Sequence, residues 1–106
     1  MHLQLITFRL RGMTDAEYEA HCAEVAPRFA EIPGLRSKIW VAEPGTNVRG
    51  GAYLWESRDW ADRYTSGPIV ANLRADGRFE GLSIRDFDVL AEPTAVTRWG
   101  FSRLPA

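Results

Sequence analysis

Residues 35–56, LRSKIWVAEPGTNVRGGAYLWE, decide the fold. Positions 35–43 read as a strand, Pro44-Gly45-Thr46-Asn47 as a turn, and 51–56 as a second strand. The turn residues each have a reason: proline presets φ, glycine accepts positive φ, and asparagine hydrogen-bonds nearby backbone. Two strands joined this way form a hairpin. What flanks the hairpin sets the rest of the architecture.

Upstream, Thr14 is placed as a helix N-cap, with Glu17 completing a capping box and Met13 and Tyr18 forming a hydrophobic staple. Tyr18, Cys22, Val25, Phe29 and Ile32 recur at helical spacing as the inward stripe. Pro27 lies within it and predicts a kink, and Pro33-Gly34 ends the helix. Before this helix, 2–10 (HLQLITFRL) is a strand with no polar face: Leu3, Leu5 and Thr7 alternate with Ile6, Phe8 and Leu10. Such a strand is covered on both sides.

Downstream, Ser57 or Arg58 opens a second helix carrying Trp60 and Tyr64 on one face. Gly67-Pro68 interrupts it, and Pro68 starts a helical continuation to about Ala75. Residues 82–90 form a fourth strand. Residues 93–106, with Val96, Trp99 and Phe101, are too apolar for a free tail and are expected to dock. The order β-α-β-β-α-β predicts a ferredoxin-like α+β fold in a single domain spanning 1–106. Its antiparallel sheet has helices on one face only, so a sheet-to-sheet homodimer is the expected cover for the other.

Thirteen basic against fourteen acidic residues leave a net charge of −1, which argues against nucleic acid or an anionic membrane as the main partner. No apolar run reaches the ~20 residues of a membrane span. A single cysteine, Cys22, excludes an intrachain disulfide and points to a cytoplasmic setting. With no signal-like N-terminus, cytoplasmic localisation is expected.

Few residues carry recognisable chemistry. Asp86 and Asp88 share a strand face and could split their proton affinities for acid–base work, or be balanced by Arg85 and solvent. His21 borders the apolar stripe and could be a pocket-rim proton carrier or a half-exposed surface group. The two histidines and one cysteine make no metal-ligand pattern, so no metal is expected. The serines lack an elbow or adjacent base, and GTNVRGG lacks the lysine-serine ending of a phosphate loop. Lys38 and Trp40 are co-facial on one strand, as Tyr53 and Trp55 are on the next. Facing the helices, these pairs would line a cavity with one cation and one phenol; facing outward, they would form a dimer core.

The runs SKIWVAEPGTNVRGGAYLWES (37–57), YTSGPIVANLRAD (64–76) and LSIRDFDVLAEPTAVTR (82–98) resemble the YdhR-like monooxygenases, with similarity from FRLRGMTDAEY onward. That family is a branch of the dimeric α+β-barrel proteins, so the resemblance implies the homodimer. Related antibiotic-biosynthesis monooxygenases oxidise anthrones and quinols with dioxygen, without metal or flavin, in a pocket between sheet and helices. Those relatives often carry a tryptophan on the third strand and a histidine nine residues later. Here these positions are Trp55 and Tyr64, and an asparagine used by some relatives is replaced by Gly51. The resemblance implies a cofactor-free monooxygenase for a flat aromatic or quinol-like molecule. Tyr64, Trp55 and Tyr53 are the expected catalytic residues, and Lys38, Trp40, His21, Ile69 and Phe87 the expected binding residues. An isomerase or cyclase of the same fold, a non-catalytic binding protein, and a haem-degrading relative are the alternatives.

Overall fold

The computed structural model describes residues 1–98, and its strands are β1 (His2–Leu10), β2 (Leu35–Ala42), β3 (Val48–Trp55) and β4 (Phe79–Asp88). They form one sheet in the order β2-β3-β1-β4, with every neighbouring pair antiparallel. Helix α1 (Asp15–Phe29) connects β1 to β2, and α2 (Arg58–Thr65) and α3 (Pro68–Ala75) connect β3 to β4. A fourth helix, α4 (Ala91–Arg98), follows β4. This is the ferredoxin-like α+β arrangement.

The helix signals act as local chemistry requires. Thr14 and Glu17 exchange both capping-box hydrogen bonds, at 2.9 and 3.1 Å. Ser57 caps α2, and Pro68 opens α3, where its missing N–H has no intrahelical role. Helix α1 runs through Pro27 to Phe29, since the proline falls in the last turn. Gly34 then takes φ +81°, and the Trp60 ring packs where a Cβ would stand.

Two strand starts differ from expectation, both through glycine. Strand β3 begins at Val48 and not at residue 51, because Gly50 pairs with Thr7 while lying against the Ile6 carbonyl, an approach no side chain permits. Strand β4 begins at Phe79 and not at residue 82. A break in register against Thr7–Arg9 sits there, and Gly81 at φ +66° absorbs it as a bulge. At the other end the strand stops at Asp88, and the described part of the expected docking tail, 93–98, belongs to the helix Ala91–Arg98, with Val96 67% exposed. Trp99 and Phe101 lie outside the described residues.

Pairing parity divides the sheet cleanly. His2, Gln4, Ile6, Phe8 and Leu10 are buried on the helix side, while Leu3, Leu5 and Thr7 are only half-buried on the other. Across the ladder, Leu54 and Phe87 join Leu3, and Ala52 joins Leu5. Ile39, opposite Ala52, is 64% exposed, so this second face is apolar and open.

Under the helices the buried side chains form two separate groups. One holds Ile6, Tyr53, Trp55, Ala61, Tyr64 and Val70; the other holds Phe8, Leu10, Tyr18 and Phe79. The Arg49 guanidinium ties β3 to the start of α1, donating to Asp15 at 2.7 Å and to the Thr46 and Val48 carbonyls. The space between the two groups is not filled.

Candidate active site

Strand register decides the orientation that alternation left open. Lys38 pairs with Tyr53 and Trp40 with Gly51, and Tyr53 pairs with the buried Gln4, so all of these positions face the helices. They border a cavity of about 300 Å³ between sheet and helices. That volume is at the small-molecule end of ligand sites. Tyr18, Cys22, Val25 and Phe29 of the α1 stripe line it from one side, and Tyr64 and Ile69 from another.

At one wall, the Lys38 ammonium position is enclosed by rings. Its Nζ lies 3.4 Å from the Trp40 ring centroid, 3.6 Å from Phe29 and 4.6 Å from Tyr53. Phe29 meets Trp40 edge-on at 5.3 Å, which fixes two sides of this cage. The lysine stem lies over Gly51, where a Cβ would stand 2.7 Å from Lys38 Cε. Among the described residues no carboxylate pairs with this amine. Burial therefore drives its proton affinity down to about 7, and nearby Cys22 opposes this only in part.

Beside the cage, the Tyr53 and Tyr64 hydroxyls are 3.3 Å apart. Burial raises the proton affinity of both phenols, so each stays protonated and can donate a hydrogen bond. Tyr18 is raised for the same reason, with a hydrogen bond to Cys22 adding to it. At the more exposed mouth, the hydrogen bonds from Arg78 lower the Asp76 pKa to about 2. His21 also lines the cavity, its ring 6.4 Å from that of Phe79.

Six of the eight expected site residues thus border one space: Tyr53, Tyr64, Lys38, Trp40, His21 and Ile69. Trp55 does not. It is fully buried under Tyr53, with the rings parallel and 6.1 Å apart, and its indole N–H donates to Gln4 at 3.3 Å. Phe87 is on the opposite sheet face, because it pairs with Leu3 and parity carries it away from the helices. The Arg85 guanidinium covers its ring at 5.1 Å.

Asp86 and Asp88 share the helix-side face with Gln4 and His2, but they do not line the cavity. Asp86 meets the His2 ring at 2.8 Å and the Gln4 amide at 3.2 Å, while Asp88 is 3.8 Å from the other His2 nitrogen. Gln4 passes this network on to Trp55 and Thr65, so His2 and Gln4 brace the floor beneath the tyrosines. A buried polar pair in β1 had no local signal, since burial depends on what packs above. The lysine had one: Lys38 is the only lysine, and the other twelve basic residues are arginines.

The family described as "Putative mono-oxygenase ydhR" matches residues 3–99. The chain belongs to this YdhR mono-oxygenase family. No curated protein matches it. Solved structures share its fold. The haem-degrader MhuD of Mycobacterium tuberculosis is 20% identical with a TM-score of 0.67, covering 85% of this chain and 96% of MhuD. SnoaB of Streptomyces nogalater, a cofactor-independent oxygenase, is 20% identical with a TM-score of 0.60, over 83% of this chain and 92% of its own. The ActVA-Orf6 monooxygenase of Streptomyces coelicolor, solved with nanaomycin D, is 19% identical with a TM-score of 0.62, over 83% and 86%. At such identities the likeness is one of fold. This YdhR-family chain has a cavity between sheet and helices, lined among others by three phenols and an amine. No helix among the described residues is long and apolar enough to cross a membrane.

Proposed function

We propose that this YdhR-family protein oxygenates a flat, electron-rich hydroxyarene, an anthrone or quinol, with dioxygen as the only co-reactant. The observation that carries this reading is the Tyr53–Tyr64 hydroxyl pair beside the Lys38 amine in one ring-lined cavity. Membership of a mono-oxygenase family and a shared fold with the cofactor-independent oxygenase SnoaB support it.

The chemistry follows from which groups can give or take charge. A hydroxyarene or anthrone that loses a proton becomes an anion able to pass one electron to dioxygen. The resulting radical and superoxide combine at carbon, and the peroxide loses water to leave a quinone. Tyr64, kept protonated by burial, would donate to the developing oxyanion, backed by the Tyr53 hydroxyl. The Phe29, Trp40 and Tyr53 rings would clasp the planar substrate. Trp55 acts from below, as the surface on which Tyr53 is stacked.

We further propose a homodimer paired through the open sheet face of Leu3, Leu5, Leu54, Ile39 and Phe87, where exposed apolar groups adjoin one another. The test of the function is oxygen uptake with anthrone. Tyr64→Phe is expected to lose about a hundredfold to a thousandfold, the range for one oxyanion donor. Unchanged turnover would remove Tyr64 from the mechanism. A product that gains no oxygen atom from labelled dioxygen would replace oxygenation by isomerisation or elimination.

A further inference from the structure

We propose that Lys38 is the proton acceptor of this site, taking the acidic C–H or O–H proton of the aromatic substrate onto its neutral amine. The assignment rests on the hydroxyarene reading above and supplies the base that reading needs.

The other polar groups around the cavity fail this role for separate reasons. Tyr18, Tyr53 and Tyr64 are held protonated by burial and so donate. Arg28 and Arg78 are guanidiniums, which do not give up a proton in proteins. Asp76 is tied to Arg78 by three contacts of 2.7 to 3.2 Å and is a very weak base. Cys22 is engaged with Tyr18, and His21 stands beside Phe79 rather than in the tyrosine corner. Lys38 alone among them places a basic nitrogen against the ring faces, 4.6 Å from Tyr53.

The cage fits both states of such a base. Desolvation at this wall removes the proton from the free amine near neutral pH. Once the proton has been taken, the ammonium is stabilised by the three ring faces and by the new substrate anion. An arginine-rich chain that places its single lysine here has a side chain able to lose a proton where a guanidinium could not. Gly51 makes the placement possible, because any side chain at 51 meets Lys38 Cε at 2.7 Å and Tyr53 Cε1 at 3.1 Å.

With anthrone, the step transfers a proton from the ring methylene to Nζ. The C–H electron pair stays on the ring system as the enolate, whose oxygen faces the Tyr64 hydroxyl. Nothing is oxidised until electrons pass to dioxygen. The ammonium then returns its proton when the peroxide loses water.

The deciding experiment separates proton transfer from oxidation. Anthrone is incubated anaerobically with the protein in deuterium oxide, and loss of its methylene signal is followed by proton NMR. The wild type is expected to accelerate exchange, with a rate that rises about tenfold per pH unit up to about pH 7 and then levels. Lys38→Arg keeps the positive charge but cannot accept a proton, and is expected to lose at least about a hundredfold. Gly51→Ala leaves the lysine in the chain but displaces its stem, and is expected to lose a large part of the rate while remaining folded by circular dichroism. Exchange that is absent in the wild type, or undiminished in Lys38→Arg, overturns the assignment. Exchange without oxygen uptake in air supports Lys38 as acceptor while overturning the oxygenase reading.

Discussion

Replacing Lys38 by methionine tests the energetics of the cage without any substrate. In the folded protein the amine's proton affinity falls from the ordinary 10.5 to about 7, chiefly through burial. At about 1.4 kcal/mol per pH unit over that interval, the buried ammonium carries a penalty of roughly 5 kcal/mol. The sign follows from proton counting. Between about pH 7 and 10.5 the unfolded chain binds a proton that the folded one does not, so wild-type stability rises with pH. Below pH 7 both states are protonated and the penalty is complete and constant. Lys38→Met has no such proton. Its stability advantage over wild type should therefore be greatest below pH 7 and shrink by roughly 4 kcal/mol by pH 10. Urea unfolding followed by tryptophan fluorescence, one series per pH unit, measures this difference. The tyrosines ionise equally in both unfolded chains and cancel. A difference that stays flat from pH 6 to 10 would refute a desolvated amine, whatever its average size.

Three further outcomes follow from the packing. Gly50→Ala drives a Cβ into the Ile6 carbonyl between paired strands and should cost more than about 3 kcal/mol, read as failure to fold or a large fall in urea midpoint. All three tyrosines, Tyr18, Tyr53 and Tyr64, have raised proton affinities, so their stabilising neutral form is held until pH rises past the ordinary value of 10. Tyrosinate absorbance should then appear in one step, together with loss of circular dichroism; independent titration near pH 10 would show an open cavity wall. Leu5→Asp on the open sheet face should convert a dimer into a monomer in light scattering, and a wild type already monomeric would remove that face as an interface.

Much of the fold could be read locally. The capping box at Thr14, the turn at 44–47 and the Gly67-Pro68 break depend on interactions within a few residues, and each formed where its chemistry placed it. Glycine marked the limit. Gly50 and Gly81 fell just outside the expected strands, yet one is a close strand crossing and the other a bulge, because the neighbouring strand determines what glycine is for. Parity likewise put Lys38 with Trp40 and Tyr53 with Trp55 on shared faces, but no local rule says which face a helix will cover.

By itself the sequence determined the order of elements, the need for a second covering on β1 and the candidate aromatics. These are properties of spacing, and spacing survives without a partner strand. Only the tertiary structure decided that Lys38 stands in a ring cage, that Trp55 lies beneath the cavity, and that Phe87 belongs to the other face. Those outcomes depend on register between strands distant in the chain, and a one-residue slip would exchange every one of them.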